Sequence, residues 1–199
     1  MISIKKNSEI AIVIVHEIYG INQHMNYICE KLSQHGLDVM CPNLLIQENP
    51  FDYTQGEEAY YNFMENVGFQ NALLKIKDLL SNIKNKYKKV FVVGFSVGAT
   101  VAWLSSEENT LDGVIGYYGS RIRNYVEINP QCPVLLFFPQ KEKSFNVDEL
   151  IANLNKKGKV KIQNFEGEHG FSDPYSKNYN EESARKAINE LINFIKYRA

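Results

Sequence analysis

The residues best suited to chemistry lie in the segment Gly94-Phe95-Ser96-Val97-Gly98. A β-branched and aromatic run, residues 90–93, comes before it, and a helix-like segment follows. In a nucleophile elbow the serine occupies a sharp strand-to-helix turn, and glycines two positions away on either side supply room. The N–H of Val97 would lie at the N-terminus of the helix and could bind the oxyanion of an acyl-transfer intermediate. The pentapeptide also occurs by chance in many chains, but this context predicts Ser96 as a nucleophile.

A serine hydroxyl needs a histidine base, and the chain has four histidines. His16 ends the first strong strand, and His24 and His35 belong to a predicted helix. His169 lies between the last predicted strand and the last predicted helix, within Glu168-His169-Gly170-Phe171. Since hydrolases of this topology place the nucleophile first, the acid second and the histidine third, His169 is the expected base.

The carboxylate that orients the histidine should lie between Ser96 and His169, on the loop after the strand near 134–138. Glu142 follows that strand directly. Asp148 comes later, in the first turn of a predicted helix, where it would complement the helix dipole and where Asn146 could be the cap. Position along the chain favours Glu142 as the acid, with Asp148 as the alternative.

Apolar runs alternate with segments of helical period along the whole chain. Because these runs are continuous and show little period-2 alternation, they indicate strands buried on both faces. The pattern predicts an α/β fold with a mostly parallel sheet and helices on both faces, in a single domain over residues 1–199. The predicted strands are 10–15, 37–40, 90–93, 113–117, 134–138 and 160–165, and the predicted helices are 22–35, 57–85, 97–105, 147–156 and 181–197.

The least regular part of the chain, residues 50–69, is dense in aromatic side chains. Tyr60, Phe63 and Met64 have a helical spacing that is typical of a stripe packed into the core. The alternative is that these aromatics form a lid or a wall of the substrate site.

A loop His16-Glu17-Ile18-Tyr19-Gly20 follows the first long strand. Ligands of open parallel sheets bind beyond the carboxyl ends of the strands, so this loop should face Ser96. One of its backbone N–H groups could be a second oxyanion donor, and Glu17 would place a charge close to the nucleophile. The alternative is a polar turn with no role in chemistry.

Charge and composition exclude several classes of function. The 22 basic and 23 acidic residues leave a net charge of −1, which gives no field that would attract nucleic acid or an anionic membrane. The three cysteines form no CxxC pair and are odd in number, which favours a reducing compartment. Neither a signal peptide nor a membrane span is recognisable. The expectation is a cytoplasmic protein with a small-molecule substrate and an undetermined oligomeric state.

The chain resembles the dienelactone hydrolase family of the α/β-hydrolase fold over nearly its whole length. The resemblance is carried by 13–20 (Val-Ile-Val-His-Glu-Ile-Tyr-Gly), 94–99 (Gly-Phe-Ser-Val-Gly-Ala), 116–119 (Gly-Tyr-Tyr-Gly), 132–135 (Cys-Pro-Val-Leu) and 169–171 (His-Gly-Phe). It implies a small hydrolase that opens esters or lactones through a covalent acyl-enzyme and needs no cofactor or metal. It also implies that Ile18 and Val97 donate the oxyanion-hole N–H groups.

The chain departs from the family pattern at three places. The founding members use cysteine at the position of Ser96, and their loop glutamate, here Glu17, helps to control the ionisation of that cysteine. The usual acid is an aspartate in a glycine-containing turn, whereas this chain offers Glu142 and no glycine, which implies a Ser-His-Glu triad. Members that cleave dienelactone hold its carboxylate with two arginines, and Gly56 and Asp173 stand at those positions.

These departures bear on the substrate. A carboxylate next to Asp173 would be repelled, so the substrate that gives the family its name is not expected here. Arg121 and Arg123 could supply cations from another loop, although an ordinary surface position is the simpler interpretation.

The sequence thus predicts a serine hydrolase for a small carboxylic ester or lactone, with Ser96 as nucleophile, His169 as general acid and base, and Glu142 as the orienting acid. Two alternatives stay open. One is a non-catalytic ligand-binding or regulatory protein with the same fold, motivated by the unusual 139–142 turn. The other is cleavage of a thioester or a peptide bond, since fold similarity does not choose a substrate.

Overall fold

The computed structural model describes residues 1–198, which contain one seven-stranded sheet. The strand order is β1-β3-β2-β4-β5-β6-β7, and every neighbouring pair is parallel except β1 with β3. This arrangement confirms the predicted mostly parallel α/β fold. The strands are β1 Ile2–Ile4, β2 Ile10–Val15, β3 Asp38–Cys41, β4 Lys89–Phe95, β5 Gly113–Tyr117, β6 Val134–Lys141 and β7 Val160–Glu168.

Helices cover both faces of the sheet. Helices α1 and α6 pack on one face, and α2 to α5 pack on the other. The helices are α1 Gln23–Ser33, α2 Gly56–Asn62, α3 Gly68–Ile83, α4 Val97–Ser105, α5 Val147–Leu154 and α6 Glu181–Lys196. Among the helices of residues 1–198, none combines the length and apolarity that crossing a bilayer requires.

Strand β2 shows how the sequence builds a core on two sides. Ala11, Val13 and Val15 pack into the cluster beneath α2 to α5, whereas Ile12 and Ile14 pack into the cluster beneath α1 and α6. Successive side chains of a strand alternate between faces, and an apolar residue at every position therefore serves both layers.

Two features differ from the sequence prediction. Strand β1 was not predicted, because three residues are too few to show a period, and it pairs antiparallel with the sheet edge at β3. The helix predicted over 57–85 is broken in the middle. A π-helical turn at Phe63–Val67 ends at Gly68, whose φ of +69° is readily adopted only by glycine and sets a new direction for α3.

The three cysteines are buried and free of disulfides. Cys29 and Cys41 belong to the core cluster beneath α1 and α6, and Cys132 belongs to the other cluster. They act as small apolar residues of the core.

Candidate active site

Ser96 lies at the turn between β4 and α4, in a backbone conformation that residues other than glycine rarely adopt. Its φ is 54° and its ψ is −116°, and its N–H donates to the carbonyl oxygen of Tyr117 at 2.9 Å. A residue held in such a conformation costs about 1–3 kcal/mol, so the surrounding structure must fix it. This is the backbone geometry of a nucleophile elbow, with a partly exposed serine at the end of a parallel strand.

The two glycines of the elbow are required by close backbone packing. A Cβ on Gly94 would lie well inside 3.0 Å of the carbonyl of Gly98, and a Cβ on Gly98 would lie equally close to the carbonyls of Val15 and His16. The missing side chains therefore let helix α4 approach both its own strand and the end of β2.

The structure brings the three predicted side chains of the triad together. The Nε2 atom of His169 lies 2.9 Å from the Oγ of Ser96, and its Nδ1 lies 2.6 Å from the Oε1 of Glu142. When Nδ1–H donates to the carboxylate, Nε2 is left as an acceptor for the serine hydroxyl. The Glu142 side chain is 5% exposed and the His169 side chain is 36% exposed, so the acid is buried and the base faces the solvent side.

The strand ends explain how Glu142 reaches the histidine. Strands β6 and β7 pair in register as far as Pro139, after which the register shifts and Lys141 pairs with Glu168. Proline has no N–H to donate to the ladder, and an irregularity there re-aims the residues that follow. Glu142 comes directly after the shifted segment.

The segment after β7 is also tied down. Gly170 has a φ of +86°, which turns the chain directly after His169, and the side-chain amide of Asn178 donates to the carbonyl of His169 at 2.8 Å. Asp148, the alternative acid, lies exposed in the first turn of α5. Its N–H donates to Asn146, which is the capping arrangement foreseen for that residue.

His16 fixes the loop after β2 rather than taking part in chemistry. Its Nδ1 donates to the carbonyl of Glu17 at 2.6 Å, and its Nε2 accepts the N–H of Leu44 at 2.8 Å. Complete burial lowers the pKa of His16 to about 4, so the ring is neutral at physiological pH. A neutral ring that donates at one nitrogen and accepts at the other links two loops.

Glu17 is buried and hydrogen-bonded away from the nucleophile. Its Oε1 accepts the hydroxyl of Tyr118 at 3.0 Å and lies 3.3 Å from the Nδ1 of His24. Burial opposes ionisation of Glu17, but His24, His169 and the Tyr118 hydroxyl together lower its pKa. Glu17 and Ser96 line the same cavity, but the sequence did not indicate the partners of Glu17.

Asp173 is the second carboxylate of this region and is 1% exposed. Its Oδ2 accepts the hydroxyl of Tyr53 at 2.6 Å and lies 3.8 Å from the Nδ1 of His24. Burial raises the pKa of Asp173, with the negative charge of Glu17 adding to the effect and His24 opposing it. His24 thus lies between two carboxylates.

Glu17, His24 and Asp173 carry donor atoms of the kinds that bind divalent metals, all within 4.8 Å of one another. The carboxylate oxygens that face His24 are the same oxygens that accept the hydroxyls of Tyr118 and Tyr53. These contacts give each carboxylate a hydrogen-bond partner, whereas the buried Nδ1 of His24 has no hydrogen-bond partner among residues 1–198.

A cavity of about 420 Å³ opens above Ser96 and His169. Its wall includes Ile18, one of the two expected oxyanion donors, while Val97, the other, is the first residue of α4. Tyr19 and Tyr53 also line the cavity, with ring centroids 4.8 Å apart.

The aromatic residues of segment 50–69 therefore have two different roles: some pack into the core and one lines the cavity. Tyr53 forms part of the cavity wall, whereas Phe51, Phe63 and Phe69 are buried in the core. Tyr60 is 37% exposed, and its hydroxyl contacts the guanidinium of Arg121.

Two residues of the site were not found from the sequence, Tyr118 and His24, and the contact of Tyr53 with Asp173 was not foreseen either. Tyr118 lay within the quoted Gly-Tyr-Tyr-Gly motif, but no role was assigned to it. His24 was assigned only to a helix. Neither motif spacing nor chain order signals a contact between residues 101 positions apart, such as that of Tyr118 with Glu17.

Comparison with known proteins agrees with this geometry. A family model described as the dienelactone hydrolase family matches residues 1–198. An uncharacterised protein of Bacillus subtilis (strain 168), YczH, is 36% identical over 184 residues, which cover 92% of this chain and 90% of the relative. The carboxymethylenebutenolidase of Pseudomonas putida is 27% identical over 131 residues, which cover 60% of this chain and 54% of that protein.

The fold also matches solved structures. The dienelactone hydrolase-like promiscuous phosphotriesterase P91 from metagenomic libraries superposes with a TM-score of 0.77 at 13% identity, covering 94% of this chain and 86% of that chain. At this identity the match shows the fold alone.

Proposed function

Because the chain belongs to the dienelactone hydrolase family, we propose that it hydrolyses small carboxylic esters or lactones through an acyl-serine intermediate. The observation that carries the proposal is the unbroken series of contacts from Ser96 to His169 to Glu142, with heavy-atom distances of 2.9 and 2.6 Å. Distances in this range allow a proton to pass between the nucleophile and its base.

In the proposed reaction Nε2 of His169 takes the proton of the Ser96 hydroxyl as Oγ attacks the carbonyl carbon. Glu142 accepts the hydrogen bond from Nδ1 and stabilises the imidazolium that forms. The tetrahedral intermediate collapses as His169 protonates the leaving alcohol. Water, deprotonated by the same nitrogen, then attacks the acyl-serine and releases the acid and free Ser96.

We assign the oxyanion hole to the backbone N–H groups of Ile18 and Val97. Val97 is the first residue of α4, so its N–H is among those that a helix leaves unpaired. Ile18 lies in the loop that His16 fixes, and it lines the cavity. Two donors from fixed backbone would stabilise the developing negative charge without reorganisation.

The cavity favours neutral substrates with an apolar group. Glu17 and Asp173 both lie in its wall, and the aromatic rings of Tyr19 and Tyr53 supply apolar surface. The Pseudomonas putida relative carries a name that denotes hydrolysis of a carboxylate-bearing lactone, and this chain has Asp173 where the sequence resemblance expects an arginine. A neutral ester or lactone is therefore the proposed substrate class.

The test is a panel of neutral p-nitrophenyl esters and lactones assayed with the wild-type protein and with Ser96→Ala. Loss of the hydroxyl should lower kcat by about 10⁴-fold or more. A fluorophosphonate probe should label the wild type at Ser96 and leave the variant unlabelled. Equal hydrolysis by the two proteins, or a folded wild-type protein that the probe does not label, would refute the proposal.

A further inference from the structure

A buried tyrosine packs against the proposed catalytic histidine. The ring of Tyr118 lies with its centroid 4.9 Å from that of His169, and Tyr118 is fully buried. Its hydroxyl donates to Glu17 at 3.0 Å and lies 3.1 Å from the Oγ of Ser172. Glu17 is therefore connected to His169 through the body of one rigid side chain.

The backbone of Tyr118 is strained. Its φ is +43°, and within residues 1–198 the other non-glycine residues with positive φ are Asn7 and Ser96. The N–H of Tyr118 donates to the carbonyl of Phe137 at 2.7 Å, which ties the strained residue to β6. Strain of this kind persists only where surrounding contacts fix it, and it is concentrated at functional sites.

The hydrogen bonds of His169 leave one motion weakly restrained. Its two ring nitrogens bind Ser96 and Glu142 in the plane of the ring, so tilting of the ring out of that plane is opposed mainly by whatever packs on its face. The Tyr118 ring packs against the His169 ring at an interplanar angle of 54°, and its own far end is fixed by the hydroxyl bond to Glu17.

Glu17 also lies against a second buried side chain, that of His24. The Nδ1 of His24 lies 3.3 Å from the Glu17 carboxylate, and the rings of His24 and Phe95 pack edge to face with centroids 5.0 Å apart. Phe95 directly precedes the nucleophile. These contacts therefore run from the residue before Ser96, through His24, Glu17 and Tyr118, to His169.

We propose that Glu17, acting through the Tyr118 hydroxyl, is a positioning residue that holds the His169 ring in line between Ser96 and Glu142. This inference rests on the proposed function, in which His169 is the general base. It gives the loop glutamate a role that does not require contact with the nucleophile.

The test uses Glu17→Gln and Tyr118→Phe, which keep the shapes of the side chains, together with the double variant. Each single variant should lower kcat for a neutral p-nitrophenyl ester by about 10-fold to 100-fold with little change in KM, as expected for a small misplacement of a reacting group. The double variant should be no slower than the worse single variant, because both changes interrupt one path.

Tyr87→Phe is the matched control. Tyr87 also donates its hydroxyl to a buried carboxylate, that of Asp38, at 2.8 Å, and it lies next to β4 at the end opposite Ser96. The Tyr87→Phe variant should lower Tm as much as Tyr118→Phe does and should keep kcat within about 2-fold of the wild-type value. A purely structural role for Tyr118 would give both variants the same result, lower Tm with unchanged kcat.

The imidazole nitrogens of His169, observed by NMR, supply a second readout that needs no turnover. Both network variants should shift these signals, whereas Tyr87→Phe should not. Wild-type signals in both variants, together with rates within 2-fold of wild type, would overturn the positioning role. Failure of the wild type to react with fluorophosphonate would instead refute the proposed function, and the NMR comparison would still decide the positioning role.

Discussion

Glu142 and His169 extend from the ends of neighbouring parallel strands, and their side chains meet with 2.6 Å between Oε1 and Nδ1. The carboxylate is buried and the ring is partly exposed. A short, shielded hydrogen bond of this kind selects the tautomer in which Nε2 faces Ser96.

Replacing Glu142 with glutamine should lower kcat by about 10²- to 10⁴-fold, because an amide can favour the wrong tautomer of the ring. The measurement is kcat for a neutral p-nitrophenyl ester, with Tm as a check of folding. Asp148→Asn is the matched control and should stay within about 2-fold of wild type. A larger loss of kcat for Asp148→Asn than for Glu142→Gln would show that Asp148, and not Glu142, is the orienting acid.

Gly98→Ala should destabilise the protein by about 3 kcal/mol or more, because the added Cβ meets the backbone carbonyls of Val15 and His16 and overpacking there has no flexible neighbour to absorb it. Urea unfolding monitored by circular dichroism measures the change. Gly158→Ala, whose Cβ would meet nothing within 4 Å, should change stability by less than about 0.5 kcal/mol. Similar stabilities for the two variants would contradict the close packing at the elbow.

Acidification should destabilise the fold through His16. Its pKa is about 4 in the folded protein against 6.5 for the free side chain, so the unfolded state binds the proton between these values. Stability from this group is fully present above pH 6.5 and is lost as pH falls towards 4, by up to about 3 kcal/mol. Free energies of unfolding of wild type and His16→Gln at pH 7.5, 6 and 5 should show a shallower fall for the variant. Parallel pH dependences would remove His16 as the cause.

Substrate charge should affect the rate strongly. We expect kcat/KM to be at least about 10-fold higher for p-nitrophenyl butyrate than for the p-nitrophenyl monoester of succinate, whose carboxylate would approach Glu17 and Asp173 in the cavity wall. Asp173→Asn should reduce the ratio of kcat/KM for the neutral ester to kcat/KM for the anionic ester. Equal or faster hydrolysis of the anionic ester would show that the two buried carboxylates do not control specificity.

The main features of the fold were predictable because continuous apolar runs and helical periods are local signals. Strands β2 and β5 have the predicted bounds, and the mostly parallel sheet follows from the alternation. The break at Gly68 was missed because an isolated glycine is tolerated within a helical pattern, and the φ of a single residue leaves no periodic trace.

The proximity of Ser96, Glu142 and His169 was predictable because chain order and the shared strand edge bring such residues together. The contacts around His24 could not be predicted in this way. They depend on a helix residue packed against the sheet and on hydroxyl contacts between distant segments, such as Tyr53 with Asp173, 120 positions apart. Contacts of this kind are set by tertiary packing and have no local signature.

The absence of a side chain at Gly98 has a mechanical consequence. Because α4 rests directly on the carbonyls that end β2, the turn bearing Ser96 and the loop bearing Ile18 cannot move independently. The distance between the two proposed oxyanion donors is then set when the chain folds, before any substrate arrives. The stiffness of the site therefore derives from the lack of a Cβ atom at Gly98.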